Sequence, residues 1–226
     1  MEQPDRRTGP ARIVVIDYGA GNLRSVARAL TAIGAIAHVT ERPEDLSTGD
    51  GLVFPGVGAA ASAMRGLVER GLIGPLRDAV KSGRPFLGVC LGLQALMSGS
   101  DEDSGVECLG IIPGQVVRLP DGLKIPHIGW NQVRQRTPHR IFEGLPDDAN
   151  CYFVHSYAAQ PDDPSWTIGE TDYGGPFSSV LAKGNVVATQ FHPEKSAVDG
   201  LQIYRNFARW AVEAREASHK VAVESV

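Results

Sequence analysis

The sequence predicts an α/β fold: a mostly parallel sheet with helices on both faces, extended by an attached antiparallel sheet. Two observations carry this. From Arg12 to Met97, short apolar runs alternate with helically spaced stretches, the rhythm of consecutive βαβ units. Beyond Gly99 the runs shorten and turn residues such as Lys183-Gly184-Asn185 separate them, which points to hairpins. With no long linker to divide its 226 residues, the chain reads as one domain over 11–215. A polar disordered tail at 1–10 and a C-terminal tail at 216–226, fraying from Ser218, complete the division.

Composition narrows the function classes. Hydrophobic content of 42% and charged content of 21% are those of a globular protein with ample core. A net charge of −4 without a basic run argues against a nucleic-acid surface. The polar start has no apolar segment of a signal peptide, and no run approaches the ~18 apolar residues of a membrane span, so a cytoplasmic protein is expected. Three cysteines, Cys90, Cys108 and Cys151, lack disulfide or metal spacing, so no disulfide framework and no metal site is indicated; no cofactor is expected either.

The elements follow in order. Arg12 to Asp17 is an apolar run ending in an acid, the form of a central parallel strand. Gly19-Ala20-Gly21-Asn22 makes a turn with Asn22 as N-cap, and Leu23, Val26, Ala27, Leu30 and Ile33 repeat at helical spacing up to Gly34. Arg24 stands where a dinucleotide fingerprint needs its third glycine, which argues against that ligand. Ala35 to Val39 and Gly51 to Phe54 are strands, the second running into Pro55-Gly56-Val57-Gly58. One or two helices span Ala59 to Lys81, and Phe86-Leu87 opens the next strand. The later strands are expected within 109–119, 128–133, 151–157, 166–171, 179–182 and 186–191. Asp199 caps a last helix carrying Leu201, Ile203, Tyr204, Phe207, Trp210 and Ala211.

Three stretches carry chemistry. Gly88-Val89-Cys90-Leu91-Gly92 lies between a buried strand and the helix formers Leu93 to Met97, the pattern of a nucleophile elbow with Cys as nucleophile. The glycines allow strand and helix to approach closely, and the helix N-terminus favours thiolate. A thiolate needs a base and an orienting group behind it. His192 has the best context, just past an apolar strand, with Glu194 two residues on and Pro193 between them disfavouring helix. His155 is the runner-up base, with Tyr157 where the acid would stand. Oxyanion donors come from the Pro55 to Gly58 loop, where Gly56 or Gly58 can take a positive φ, and from the N–H of Leu91. Each piece has an ordinary reading of its own: a buried cysteine, a surface histidine, a Pro-Gly turn.

Together, in this order, Pro-Gly-Val-Gly, Gly-Val-Cys-Leu-Gly-Leu-Gln and Phe-His-Pro-Glu-Lys-Ser resemble the class I (triad) glutamine amidotransferase family over Arg12 to Trp210. The resemblance implies a flavodoxin-like sheet and a Cys90–His192–Glu194 triad hydrolysing glutamine. It makes the N–H groups of Val57 and Leu91 the oxyanion donors, and Gly58, Gln94, Ser156 and Tyr157 the substrate contacts. Gly21 to Val26, Pro126 to Asn131 and Tyr152 to Tyr157 are similar to one branch of that family, in histidine biosynthesis. That branch implies a (β/α)8-barrel cyclase as partner in a heterodimer, with Asn22, Trp130, Tyr152 and Lys195 on segments lining the interface and ammonia passage. Other readings are a relative serving another acceptor pathway and a non-catalytic flavodoxin-like domain with Cys90 as a redox thiol. The latter leaves the His192/Glu194 spacing without a reason.

Overall fold

The protein is described by a computed structural model covering residues 9–19 and 21–224, so all but two residues of the expected N-terminal tail lie outside it. The chain forms β1 (Arg12–Ile16), α1 (Leu23–Ala32), β2 (Ile36–Thr40), β3 (Gly51–Gly56), α2 (Ala60–Glu69), α3 (Ile73–Lys81), β4 (Phe86–Cys90) and α4 (Leu91–Leu96). It continues as β5 (Met97–Ser100), β6 (Val106–Glu107), β7 (Ile112–Arg118), β8 (His127–Gln135), β9 (Ala149–His155) and β10 (Tyr157–Pro161). It ends with β11 (Thr167–Asp172), β12 (Pro176–Lys183), β13 (Val186–Thr189) and α5 (Ala197–Glu224).

Nine strands make one sheet in the order β2-β1-β3-β4-β13-β12-β11-β8-β9. The first five are mutually parallel, and from β13 onward every pairing is antiparallel. The parallel strands bury both faces, so alternate residues feed two cores. Val14, Ile16, Phe54 and Phe86 pack with Leu67 of α2 and Leu76 of α3, while Ile13, Val15, Leu87 and Val89 pack with Leu30 of α1 and Tyr204 and Phe207 of α5. A second, four-stranded sheet has the order β10-β7-β5-β6.

Four local expectations are corrected. The helix after Cys90 stops at Leu96, and Met97–Ser100 pairs with β7 as β5: partners in the small sheet override helix propensity. The run 186–191 belongs to the parallel series through its pairing with β4. Asn22 precedes α1 in a left-handed conformation without a side-chain cap bond, its amide instead turned toward Glu194 through Nδ2. α5 starts at Ala197, two residues before Asp199, and reaches Glu224 instead of ending near residue 215. Arg215 of that helix is tied to Asp50 by a largely buried ion pair of 2.9 Å.

Candidate active site

The parallel half of the sheet ends where its strands are most buried, and there the chain turns on Cys90. Its backbone has φ 55° and ψ −108°, a region that costs an L-residue about 1–3 kcal/mol. The flanking glycines explain how this strained turn fits. A Cβ on Gly92 would lie 1.8 Å from the Phe54 carbonyl oxygen, and one on Gly88 would lie 3.1 Å from the Gly92 backbone. No other residue type lets α4 pack this closely on β3 and β4. Gly56 is opposite Cys90 in the β3–β4 register, so the Pro55–Gly58 stretch leaves β3 next to the elbow. Positive φ in this loop falls on Gly58, at 100°, and not on Gly56. Gly56 is needed for space: a Cβ there would meet the Tyr18 hydroxyl at 2.3 Å and Leu91 Cβ at 2.8 Å.

His192 follows β13, with its ring 1% exposed beside a fully buried Glu194 carboxylate. Their bond, Nδ1 to Oε1, is 2.7 Å. The spacing works for a different reason than two residues of extended chain: Pro193–Lys195 is a turn of 3₁₀ helix that folds Glu194 back under an extended His192. The His192 N–H donates to Tyr152 O at 3.0 Å, and Ser196 Oγ donates to His192 O at 2.7 Å, clamping the turn to β9. Because a carboxylate only accepts, Nδ1 is the donor, and this leaves Nε2 buried without a hydrogen-bond partner among the described residues.

The electrostatics follow from these contacts. Burial disfavours an imidazolium, yet the neighbouring Cys90 and Glu194 reverse this and raise His192 to about 10. Burial pushes the Glu194 carboxyl up, but His192, with its bond and its charge, and the Asn22 amide hold it below the usual value. Asn22 Nδ2 donates to Glu194 Oε1, and Tyr204 Oη donates to Oε2 at 3.2 Å. Burial, then Glu194, raises the Tyr204 phenol far above its ordinary value. The other thiols are suppressed by burial, Cys108 to about 11 and Cys151 to about 12.

The remaining candidates divide. Leu91 opens α4 directly after the thiol. Gln94 is buried, and its Nε2 donates to Tyr157 O at 2.8 Å and to Gln190 Oε1 at 3.1 Å, so this nitrogen is engaged within the protein. The carbonyls of Ser156 and Tyr157 are also taken, the first by the Leu119 N–H and the second by Gln94 and His155. Gln94 Oε1 is the side-chain atom left for a ligand among these residues. Trp130, Tyr152 and Lys195 form one patch: the two rings are 6.0 Å apart and Lys195 Nζ lies 5.8 Å from the Tyr152 ring. Asn22 is apart from them, turned onto Glu194. His155, the runner-up base, bonds Tyr157 O and His127 and is lowered to about 4 by burial, against the pull of that carbonyl. Asn22 as a clamp, Tyr204 and Gln190 are additions that sequence patterns did not signal. Tyr204 reads only as a core position of α5, and Gln190 only as the end of a strand.

The chain is similar to several known proteins. The family model for glutamine amidotransferase class-I matches residues 14–210. "Imidazole glycerol phosphate synthase subunit HisH" of Dehalococcoides mccartyi is 47% identical over 200 residues, 88% of this chain and 98% of that protein. The protein of the same name from Desulfitobacterium hafniense is 48% identical over 209 residues, 92% and 99% of the two chains. Among solved structures, a putative GMP synthase protein from Thermoplasma acidophilum superposes with a TM-score of 0.71 at 23% identity, covering 93% and 98% of the chains. PurLQS from Thermotoga maritima gives 0.71 at 16% identity, covering 89% and 99%; both likenesses concern the fold.

Proposed function

The chain belongs to the glutamine amidotransferase class-I family, and on that premise we propose that it hydrolyses glutamine to glutamate and ammonia through Cys90, His192 and Glu194. The Cys90 sulfur attacks the side-chain amide carbon while the N–H groups of Val57 and Leu91 hold the oxyanion. His192 takes the thiol proton at Nε2 and gives it to the leaving nitrogen; the C–N bond breaks, ammonia departs and a thioester remains. Water then attacks the thioester, its proton returns through His192 to sulfur, and glutamate leaves. Glu194, steadied by Asn22 and Tyr204, keeps the imidazole in the tautomer this requires. Gly58, Gln94, Ser156 and Tyr157 contact the substrate through the groups they have free.

The observation that carries the reading is the buried His192 Nε2, without a hydrogen-bond partner among the described residues, on a ring whose other nitrogen is held by Glu194 and whose charge is coupled to Cys90 on its strained elbow. By similarity to the imidazole glycerol phosphate synthase subunits, the ammonia passes to a (β/α)8-barrel cyclase. That partner makes imidazole glycerol phosphate and aminoimidazole carboxamide ribotide in histidine biosynthesis. Trp130, Tyr152 and Lys195 belong to the docking face, and the cytoplasm, where thiols stay reduced, suits the chemistry. The Pro55–Gly58 loop acts as the switch, turning the Val57 N–H into the site when the partner binds.

The test is ammonia release from glutamine with and without the cyclase. Activity should be low alone and strongly stimulated by the partner, and Cys90→Ala should lose at least about 10⁴-fold while still folding and binding. Full activity in Cys90→Ala would refute the nucleophile, and equal activity in both conditions would refute the switch.

A further inference from the structure

A chain of buried and part-buried hydrogen bonds runs from β8 to the thiol, and its directions are forced. Tyr157 O can only accept, so His155 Nδ1 donates to it at 2.9 Å. A neutral imidazole then accepts at Nε2, and His127 Nδ1, 3.0 Å away, must carry the proton. His127 Nε2 is left as an acceptor facing Asn131 Nδ2 at 3.3 Å, and that amide also donates to Asp172 O at 2.9 Å. With both rings neutral in these tautomers, every ring nitrogen is matched; a proton added to either sets two donors against each other. Both rings are buried, and His127 is held between Phe153, at 5.0 Å, and Tyr173, at 3.9 Å, in stacked geometry.

Beyond Tyr157 O the directions stay fixed. Gln94 faces two acceptors, Tyr157 O and Gln190 Oε1, so the group facing them is its Nε2. Gln190 Oε1 is thereby the acceptor, and its Nε2 approaches Cys90 Sγ at 3.8 Å. The start of this chain shares β8 with Ile128 and Trp130, whose side chains project from the strand into solvent, 56% and 55% exposed.

We infer that His127 and His155 are positioning residues for glutamine hydrolysis, a matched neutral pair that holds the Tyr157 carbonyl and, through Gln94 and Gln190, sets the Cys90 thiol relative to the exposed strand β8. The inference rests on the glutaminase reading. Neither histidine touches the substrate in this scheme. They fix the Gln94 amide, which does, and burial keeps both rings in the neutral form this pairing requires.

The experiment compares His127→Phe, which keeps an aromatic ring between Phe153 and Tyr173 but donates nothing, with His127→Asn, whose Nδ2 donates from the place of Nδ1. Saturable alkylation of Cys90 by a glutamine-like chloroketone on the full chain gives separate binding and maximal-rate constants. Glutamine hydrolysis and thermal unfolding are read alongside. The Phe variant should label at a maximal rate about tenfold lower, and the Asn variant should recover to within about threefold of the parent. A Phe variant within twofold of the parent, or an Asn variant as slow as the Phe variant, overturns the inference. If the Phe variant does not fold, Asn131→Ala, which removes the donor to His127 Nε2, should still slow labelling about threefold, and no change there overturns it. Failure of the parent chain to be labelled saturably at Cys90, or to release ammonia with the cyclase present, would instead sink the glutaminase reading.

Discussion

In the parallel half of the large sheet, β3, β4 and β13 are buried along their whole lengths, whereas β8 in the antiparallel half alternates, with Ile128 and Trp130 exposed between the buried His127 and Val133. The histidines of the two halves differ in the same sense. His192, past β13, is raised to about 10 by Cys90 and Glu194 against its own burial, while His155, at the end of β9, is lowered to about 4 chiefly by burial. Burial lowers both, so the difference lies with the partners: Cys90 and the Glu194 carboxylate overcome it for His192, whereas the Tyr157 carbonyl only partly offsets it for His155. One half therefore provides the charged chemistry, and the other provides neutral positioning and a surface.

The contrast can be broken most severely in the parallel half. Gly92→Ala places a methyl 1.8 Å from the Phe54 oxygen and should destabilise the fold by about 3 kcal/mol or more in urea unfolding. Wild-type stability in that variant would mean that α4 is not held by close packing on β3. Glu194→Gln probes the charge. It should lower the turnover of glutamine about 100-fold, about 2.7 kcal/mol, because the imidazole loses the partner that fixes its tautomer. Its stability cost has a pH signature. His192 is raised from 6.5, so its contribution is complete below pH 6.5 and lost as pH rises through about 10. Glu194 is lowered from 4.5, so its contribution is present above pH 4.5 and lost as pH falls through the lowered value. The stability gap between parent and variant should be widest from pH 4.5 to 6.5 and close toward pH 10; a gap independent of pH would contradict the ion pair. Trp130→Ala tests the antiparallel half most gently. Partner affinity should fall about tenfold, about 1.4 kcal/mol, by titration calorimetry, with unfolding unchanged. Undiminished affinity would remove Trp130 from the docking face.

How much of this was legible in the sequence depends on the range of the interaction. The elbow was, because a cysteine between two glycines at a strand–helix junction is a local demand on backbone geometry, and Cys90 at φ 55° meets it. The His192/Glu194 pair was legible as a spacing, although the 3₁₀ turn that closes it was not. Asn22 reads in the sequence as a helix cap, since nothing near it announces a carboxylate 172 residues away. β5 was missed for the same reason: the residues that make Met97–Ser100 a strand are in β7 and β6.

The sequence by itself determined the alternation of apolar runs, the glycines that permit the elbow and the order of the reactive residues, because these follow from steric and periodic rules acting over a few positions. Only the tertiary structure decided which groups are charged and which are paired. Desolvation, the clamp of Asn22 and Tyr204 on Glu194 and the matched tautomers of His127 and His155 depend on which segments the sheet brings together, and that is a property of the packed chain.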